Sequence, residues 1–162
     1  MRITDLLSKD GIELNVNAKD KNDIINKMTK LMLKTGRITD LNAYTELVLK
    51  REEEGSTGVG EGIAIPHGKG DCVTEPGLVA MVVPNGVEYD ALDGKPVNLL
   101  FMIAAPNTSD NVHLDVLSRL STMLMDTEFK NKLISAKSKE EFLNIINETE
   151  NEKFKEETKQ EQ

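Results

Sequence analysis

The chain has no tryptophan, one cysteine and only two histidines in 162 residues. Each scarcity excludes something. A lone Cys72 excludes an intrachain disulfide and a cysteine-cluster zinc site. Two histidines far apart in the chain, His67 and His113, make a poor zinc set even with that cysteine, and no metal is expected. With four Phe and two Tyr, aliphatic side chains and the seven Met must fill the core. Positive charge is also short, with 20 Lys and Arg against 28 Asp and Glu and a net charge of −8. Nucleic-acid binding needs a basic surface, so that partner is excluded. A partner with a basic docking patch fits better. Long apolar runs are missing. Leu99 to Ala105 is far too short to span a bilayer, and residues 1–10 carry no apolar segment of the kind found in signal peptides. The expectation is a cytoplasmic protein with no direct insertion into the membrane.

What is present is ordinary for a soluble globular domain: 38% hydrophobic and 30% charged residues, in a length that suits one domain with a real core. The exception is Gly55 to Gly70, GSTGVGEGIAIPHGKG, which holds six of the eleven glycines. A glycine-rich loop leads into Ile63-Ala64-Ile65, a short buried strand by composition. Pro66 has no N–H to give a ladder, so the strand is expected to end there and to present His67 at its C-terminal end. Ligand clefts open at that edge in α/β folds.

The rest of the chain reads as alternating elements. Asp20 is placed to cap a helix running to Lys34, and Thr39 or Asp40 to cap a second through Tyr44, Leu47 and Val48. Arg51, seven residues after Tyr44, is expected to continue that inward face and to reach the His67 loop, while Glu52 to Glu54 reads as a solvated acidic cluster. Leu78 to Val83 and Val97 to Ala105 read as strands buried on both faces, with a short strand at Val87 to Tyr89 between turn signals. Asp110 is expected to cap a helix through Met125. Glu128 to Ala136 reads as a short helix, and Ser138 with Glu141 as the capping box of a last one. The folded domain is expected to span residues 1–147, with 148–162 a charged, disordered tail or linker.

Glu52, Val59-Gly60 and Ile63-Ala64-Ile65-Pro66-His67-Gly68 together resemble the active-histidine signature of the fructose/mannitol-type (type 2) enzyme IIA domains. These belong to the bacterial phosphoenolpyruvate-dependent sugar phosphotransferase system. Tyr89 to Val97, Phe101 to Pro106 and His113-Leu114 are similar to the same family in order and spacing; the first two segments look more like its sugar-transport branch, and the resemblance as a whole is to the fructose branch. The resemblance implies a single α/β domain, a mixed β-sheet flanked by α-helices. It also implies a phosphoryl relay without a cofactor: from the histidine-containing phosphocarrier protein onto His67, then to a cysteine of an enzyme IIB domain. His67 is the implied acceptor, with His113 and Arg51 completing the constellation.

The chemistry suits those residue types. Neutral imidazole is a nucleophile near neutral pH, and its second nitrogen can hold a hydrogen bond that fixes the tautomer. A transferring phosphoryl group spreads charge over three oxygens, so catalysis is mostly positioning and electrostatics. A guanidinium, the first turn of a helix and backbone N–H groups of a glycine-rich loop all suit that charge. Gly58 and Gly68 are candidates for the last role. Ser56 and Thr57 are candidates either to hydrogen-bond the phosphoryl group or to shape the turn, and both readings stay open. The glycines do not make a dinucleotide fingerprint, and no Gly-Lys-Ser/Thr follows for a nucleotide phosphate loop. The alternative function is a regulatory one: nitrogen-related enzyme IIA proteins share the glycine loop and the Pro-His-Gly, and act by phosphorylation-dependent partner binding.

Overall fold

Leu99, Phe101 and Ile103 pack into one hydrophobic cluster, while Leu100, Met102 and Ala104 pack into another. That period-two split marks a strand covered on both faces. It is β6 (Val97–Pro106), the centre of the sheet. The computed structural model describes residues 2–108 and 111–155. On one side of β6 runs β5 (Gly77–Val87), antiparallel, with Val79 opposite Met102 and Met81 opposite Leu100. The short β1 (Ile12–Glu13) closes that edge, parallel to β5. On the other side, β3 (Ile63–Ala64) and β4 (His67–Gly70) lie in line, both parallel to β6. The edge strand β2 (Gly58–Gly60) pairs antiparallel with β3. The sheet is mixed and helices flank it, as the resemblance implies.

Two helices cover one face. Asp20 starts α2 (Lys21–Lys34) by accepting from the Asp23 N–H at 2.8 Å, and Asp40 starts α3 (Leu41–Glu53) by accepting from Ala43 at 3.0 Å. Both bonds use donors that a helix start leaves free. The other face carries α1 (Ile3–Leu6), α4 (Val112–Leu124), α5 (Thr127–Ile134) and α6 (Lys139–Lys153). Asn111 holds the cap position of α4; the cap expected at Asp110 lies outside the described residues.

Three expectations need correcting. The separate strand at Val87 to Tyr89 does not form. β5 instead runs unbroken to Val87, and Pro84-Asn85-Gly86 is absorbed as a register shift between Val82 and Val87. A bulge tolerates a proline that a regular ladder rejects. Pro66 does not end the pairing along β6 either. It interrupts it: the Pro66 carbonyl accepts from the Ile103 N–H at 3.0 Å and pairing resumes at His67. Lastly, the domain end expected at 147 falls inside α6. Glu150 is fully buried and accepts from the Ile3 N–H at 2.8 Å and Arg119 Nε at 2.7 Å. The Phe154 ring lies 3.8 Å from the Arg119 guanidinium carbon. Residues 156–162 of the expected tail lie outside the described residues.

Candidate active site

Strand alternation decides where His67 points. Ile63 and Ile65 belong to the cluster under α4, and Ala64 to the cluster under α3. His67 continues the odd-numbered set toward α4. Gly68 turns the other way: a Cβ there would sit 3.1 Å from Tyr44 and 3.2 Å from Val48, so α3 packs directly on the β4 backbone. β4 has β6 as its strand neighbour, and a cleft of about 450 Å³ opens beside it between α3 and α4. Leu47, Lys50, Arg51, His67, Lys69 and His113 are among its walls.

The two histidines meet there. Their ring centroids are 6.1 Å apart and the planes are inclined by 29°. His67 Nδ1 lies 3.1 Å from the Ile65 carbonyl oxygen. A carbonyl can only accept, so this bond requires the proton on Nδ1, and in the neutral ring that leaves the lone pair on Nε2. His113 occupies the first turn of α4, where the helix dipole favours an anion. Its Nδ1 is buried without a hydrogen-bond partner among the described residues. Burial first, then the neighbouring His67 and Lys69, hold its pKa below the ordinary 6.5, against a weaker opposing pull from Asp115. Burial and these neighbours thus favour the neutral ring of His113.

Arg51 lines the same cleft but does not lie on the inward face of α3. The buried positions are Tyr44, Val48 and Glu52, a strict four-residue step. Arg51 sits one position to the side, 37% exposed, with Nη1 donating to the Gly55 carbonyl at 2.9 Å. Glu52, expected in a solvated cluster, is 9% exposed. Its carboxylate accepts from the Thr57 N–H at 3.0 Å, the Thr57 hydroxyl, the Tyr89 hydroxyl at 3.2 Å and the Lys21 ammonium at 3.0 Å. The step from Tyr44 through Val48 to Glu52 was the available signal; a charged residue at its end masked it.

Ser56, Thr57 and Gly58 use their polar groups internally in this resting structure. Ser56 Oγ donates to the Tyr89 carbonyl at 3.1 Å and accepts from the Gly58 N–H at 3.0 Å. Thr57 binds Glu52 through both donors. A Cβ at Gly58 would lie 2.9 Å from the Ala91 backbone, so the loop is pressed against residues 89–91. Burial pushes the Tyr89 phenol well above its usual range, and the adjacent Glu52 adds to the effect, so it is a hydroxyl donor at any working pH. Among the described residues, no group of three or more His, Cys, Asp or Glu is gathered to hold a metal ion.

This geometry can be set beside known proteins. Residues 5–149 match the family model of the phosphoenolpyruvate-dependent sugar phosphotransferase system, EIIA 2. The chain belongs to this family. The fructose-specific EIIABC component of Bacillus subtilis is 46% identical over 147 residues. That match covers 91% of the chain and 23% of the relative, so the chain spans less than a quarter of that protein's length. Among solved structures, the nitrogen regulatory protein IIA-Ntr of Neisseria meningitidis shares the fold with a TM-score of 0.82 at 30% identity, covering 88% of this chain and 97% of the other. The Escherichia coli enzyme IIA of the mannitol system, solved in complex with its phosphorylated IIB, aligns with a TM-score of 0.77 at 28% identity, covering 88% and 99%. The chain is thus a type 2 EIIA domain of the fructose/mannitol kind. No helix among the described residues is long and apolar enough to cross a membrane.

Proposed function

We propose that this EIIA domain is a phosphoryl carrier for sugar uptake, with fructose as the sugar served. It accepts the phosphoryl group from the histidine-containing phosphocarrier protein on His67 and passes it to a cysteine of an enzyme IIB domain. The observation that carries this reading is the His67 Nδ1 bond to the Ile65 carbonyl, which leaves Nε2 as the nucleophilic atom in a cleft shared with Arg51, Lys69 and His113.

The step balances simply. Nε2 forms a bond to phosphorus as the donor's phosphorus–nitrogen bond breaks, and that electron pair stays on the donor imidazole. His67 keeps its Nδ1 proton throughout. In the second transfer a thiolate sulfur takes the phosphorus and Nε2 recovers its lone pair. Between the two steps the phosphoryl group sits near His113. A neutral His113 at rest adds no charge that would oppose a protonated ring on His67. The arriving anion favours its protonation, which turns it into a charge-assisted donor. Arg51 offers a planar fork to the same oxygens. The EIIABC composition of the Bacillus relative and the IIA–IIB complex of the Escherichia coli neighbour support the downstream partner. The net charge of −8 suits a donor with a basic docking face.

A second reading, a regulatory phosphocarrier acting by partner binding, is supported by the likeness to the Neisseria nitrogen regulatory protein. One experiment separates them. The domain is incubated with phosphoenolpyruvate and the two general phosphotransferase proteins, then with candidate IIB domains. Acid-labile phosphate on the wild type, its loss in His67→Ala, and onward transfer to a IIB cysteine are expected. Acceptance without any onward transfer would favour the regulatory reading, and no acceptance at all would reject both.

A further inference from the structure

Glu52 lies behind the cleft wall, yet both groups assigned to the phosphoryl lead back to it. We infer that the Glu52 carboxylate is the positioning residue that sets His67 and Arg51 for transfer; the inference rests on the carrier role proposed above. One path runs through hydrogen bonds. Thr57 is pinned to Glu52 by its N–H at 3.0 Å and by its hydroxyl. The Thr57 carbonyl accepts from the Ile65 N–H at 3.0 Å. The Ile65 carbonyl then takes the Nδ1 proton of His67 at 3.1 Å. The other path runs along the chain. Arg51 adjoins Glu52, and its Nη1 is held at 2.9 Å by Gly55, two residues before the pinned Thr57.

The coupling is mechanical. The N–H and carbonyl groups along the first path belong to different peptide units, so what passes along it is position. If Thr57 shifts, Ile65 shifts, and the acceptor that keeps the His67 proton on Nδ1 leaves its line. The tautomer protonated on Nε2 then competes, and it has no lone pair on Nε2, the atom that faces the phosphoryl group in the proposed transfer. The same shift moves Gly55 and with it the resting place of the Arg51 guanidinium.

An acceptor-rich group suits this spot. Four donors converge on it: the Thr57 N–H, the Thr57 hydroxyl, the Tyr89 hydroxyl and the Lys21 ammonium. A carboxylate has acceptor sites for all of them, whereas a glutamine would turn two N–H groups toward donors. Lys21 supplies the opposite charge at 3.0 Å and also lies 4.8 Å from the Tyr89 ring centre, which closes the cluster. The side chain of Glu52 is 5% exposed, so water does not compete for these bonds.

The test uses the whole chain, wild type, Glu52→Gln and Thr57→Val. Transfer from phosphorylated histidine-containing phosphocarrier protein is timed across donor concentrations, at a temperature where circular dichroism shows each variant folded. In parallel, the imidazole ¹⁵N shifts of unphosphorylated His67 report the tautomer. Glu52→Gln is expected to lower the maximal rate about tenfold or more while the half-saturating donor concentration stays within about twofold, since geometry rather than docking is disturbed. Its His67 shifts should move from the Nδ1–H pattern toward a mixture. Thr57→Val, nearly isosteric, should move both readouts the same way by less, and it carries the test if the Gln variant does not fold. Wild-type rates with an unchanged tautomer in the folded variants would overturn the inference and leave the carrier role intact. If the wild type itself accepted no phosphoryl group, the carrier role would fall, and an unchanged tautomer would still refute the positioning claim for His67.

Discussion

Removing Glu150 should unfold the domain earlier than a residue in a charged C-terminal stretch has any reason to. Its carboxylate is fully buried and takes the Ile3 N–H at 2.8 Å, the Thr4 N–H at 3.3 Å and Arg119 Nε at 2.7 Å, tying α1, α4 and α6 together. Glu150→Ala strips that carboxylate from an arginine whose side chain is 9% exposed, and from two N–H groups at the start of α1. Breaking a buried ion pair by deleting one member costs about 3–5 kcal/mol. For a domain of this size each kcal/mol lowers the thermal midpoint by about 2–4 °C, so a fall of about 10 °C is expected. Glu150→Gln keeps the shape and one acceptor, and should cost roughly half as much. Cutting the chain after Asn147 removes Glu150 and the Phe154 packing together, and should be at least as damaging as Glu150→Ala. Differential scanning calorimetry of the three proteins beside the wild type measures this. A midpoint within about a degree of wild type after the cut would show that the last turns of α6 are not part of the cooperative fold, and the reasoning would fail.

Other consequences follow from the cleft. Arg51→Ala should slow phosphoryl transfer roughly tenfold, equivalent to ~1.4 kcal/mol of transition-state stabilisation, and Arg51→Lys should keep part of the rate because it keeps charge without the planar fork; equal rates for all three in a transfer assay would make Arg51 a surface charge. NMR titration should place the resting His113 midpoint below 6.5 and move it up once His67 is phosphorylated. Because the folded value is depressed, the neutral ring's contribution to stability is fully present above 6.5 and is lost as pH falls through the folded midpoint; a resting midpoint above 6.5 would contradict the desolvated setting. Gly58→Ala should lower stability by about 1–3 kcal/mol in denaturant melts, since its Cβ would meet the Ala91 backbone at 2.9 Å; an unchanged melt would mean that the loop relaxes away.

Much of this was legible in the chain. The helix caps at Asp20 and Ser138, and Asp40 as one of two candidates, follow from local chemistry, and the two buried strands from composition, because both signals sit within a few residues. The family, and the pairing of His67 with His113, came from the resemblance; periodicity alone could not bring together residues on a strand and a distant helix. The two buried acids escape sequence reading for one cause. Glu52 and Glu150 are acidic residues in acidic stretches, and sequence patterning assigns such residues to water. What buries them is the convergence of donors from remote segments: Lys21, Thr57 and Tyr89 on one, Ile3 and Arg119 on the other. A step of seven from Tyr44 points to Arg51 as the inward residue of α3, whereas the buried face follows four and eight and ends on Glu52. Pro66 reads as a strand end because a missing N–H is visible in sequence, whereas the carbonyl that still pairs with Ile103 is not.

In the proposed carrier, His67 Nε2 holds the phosphoryl group and the Ile65 carbonyl sets the tautomer. ¹⁵N-labelled protein, phosphorylated with phosphoenolpyruvate and the general phosphotransferase proteins and kept mildly alkaline, can be read directly by ¹⁵N and ³¹P NMR. One phosphoryl group is expected, bonded to Nε2 of His67, with Nδ1 still protonated and His113 unmodified. Phosphorus bonded to Nδ1 of His67, or to either nitrogen of His113, would contradict it.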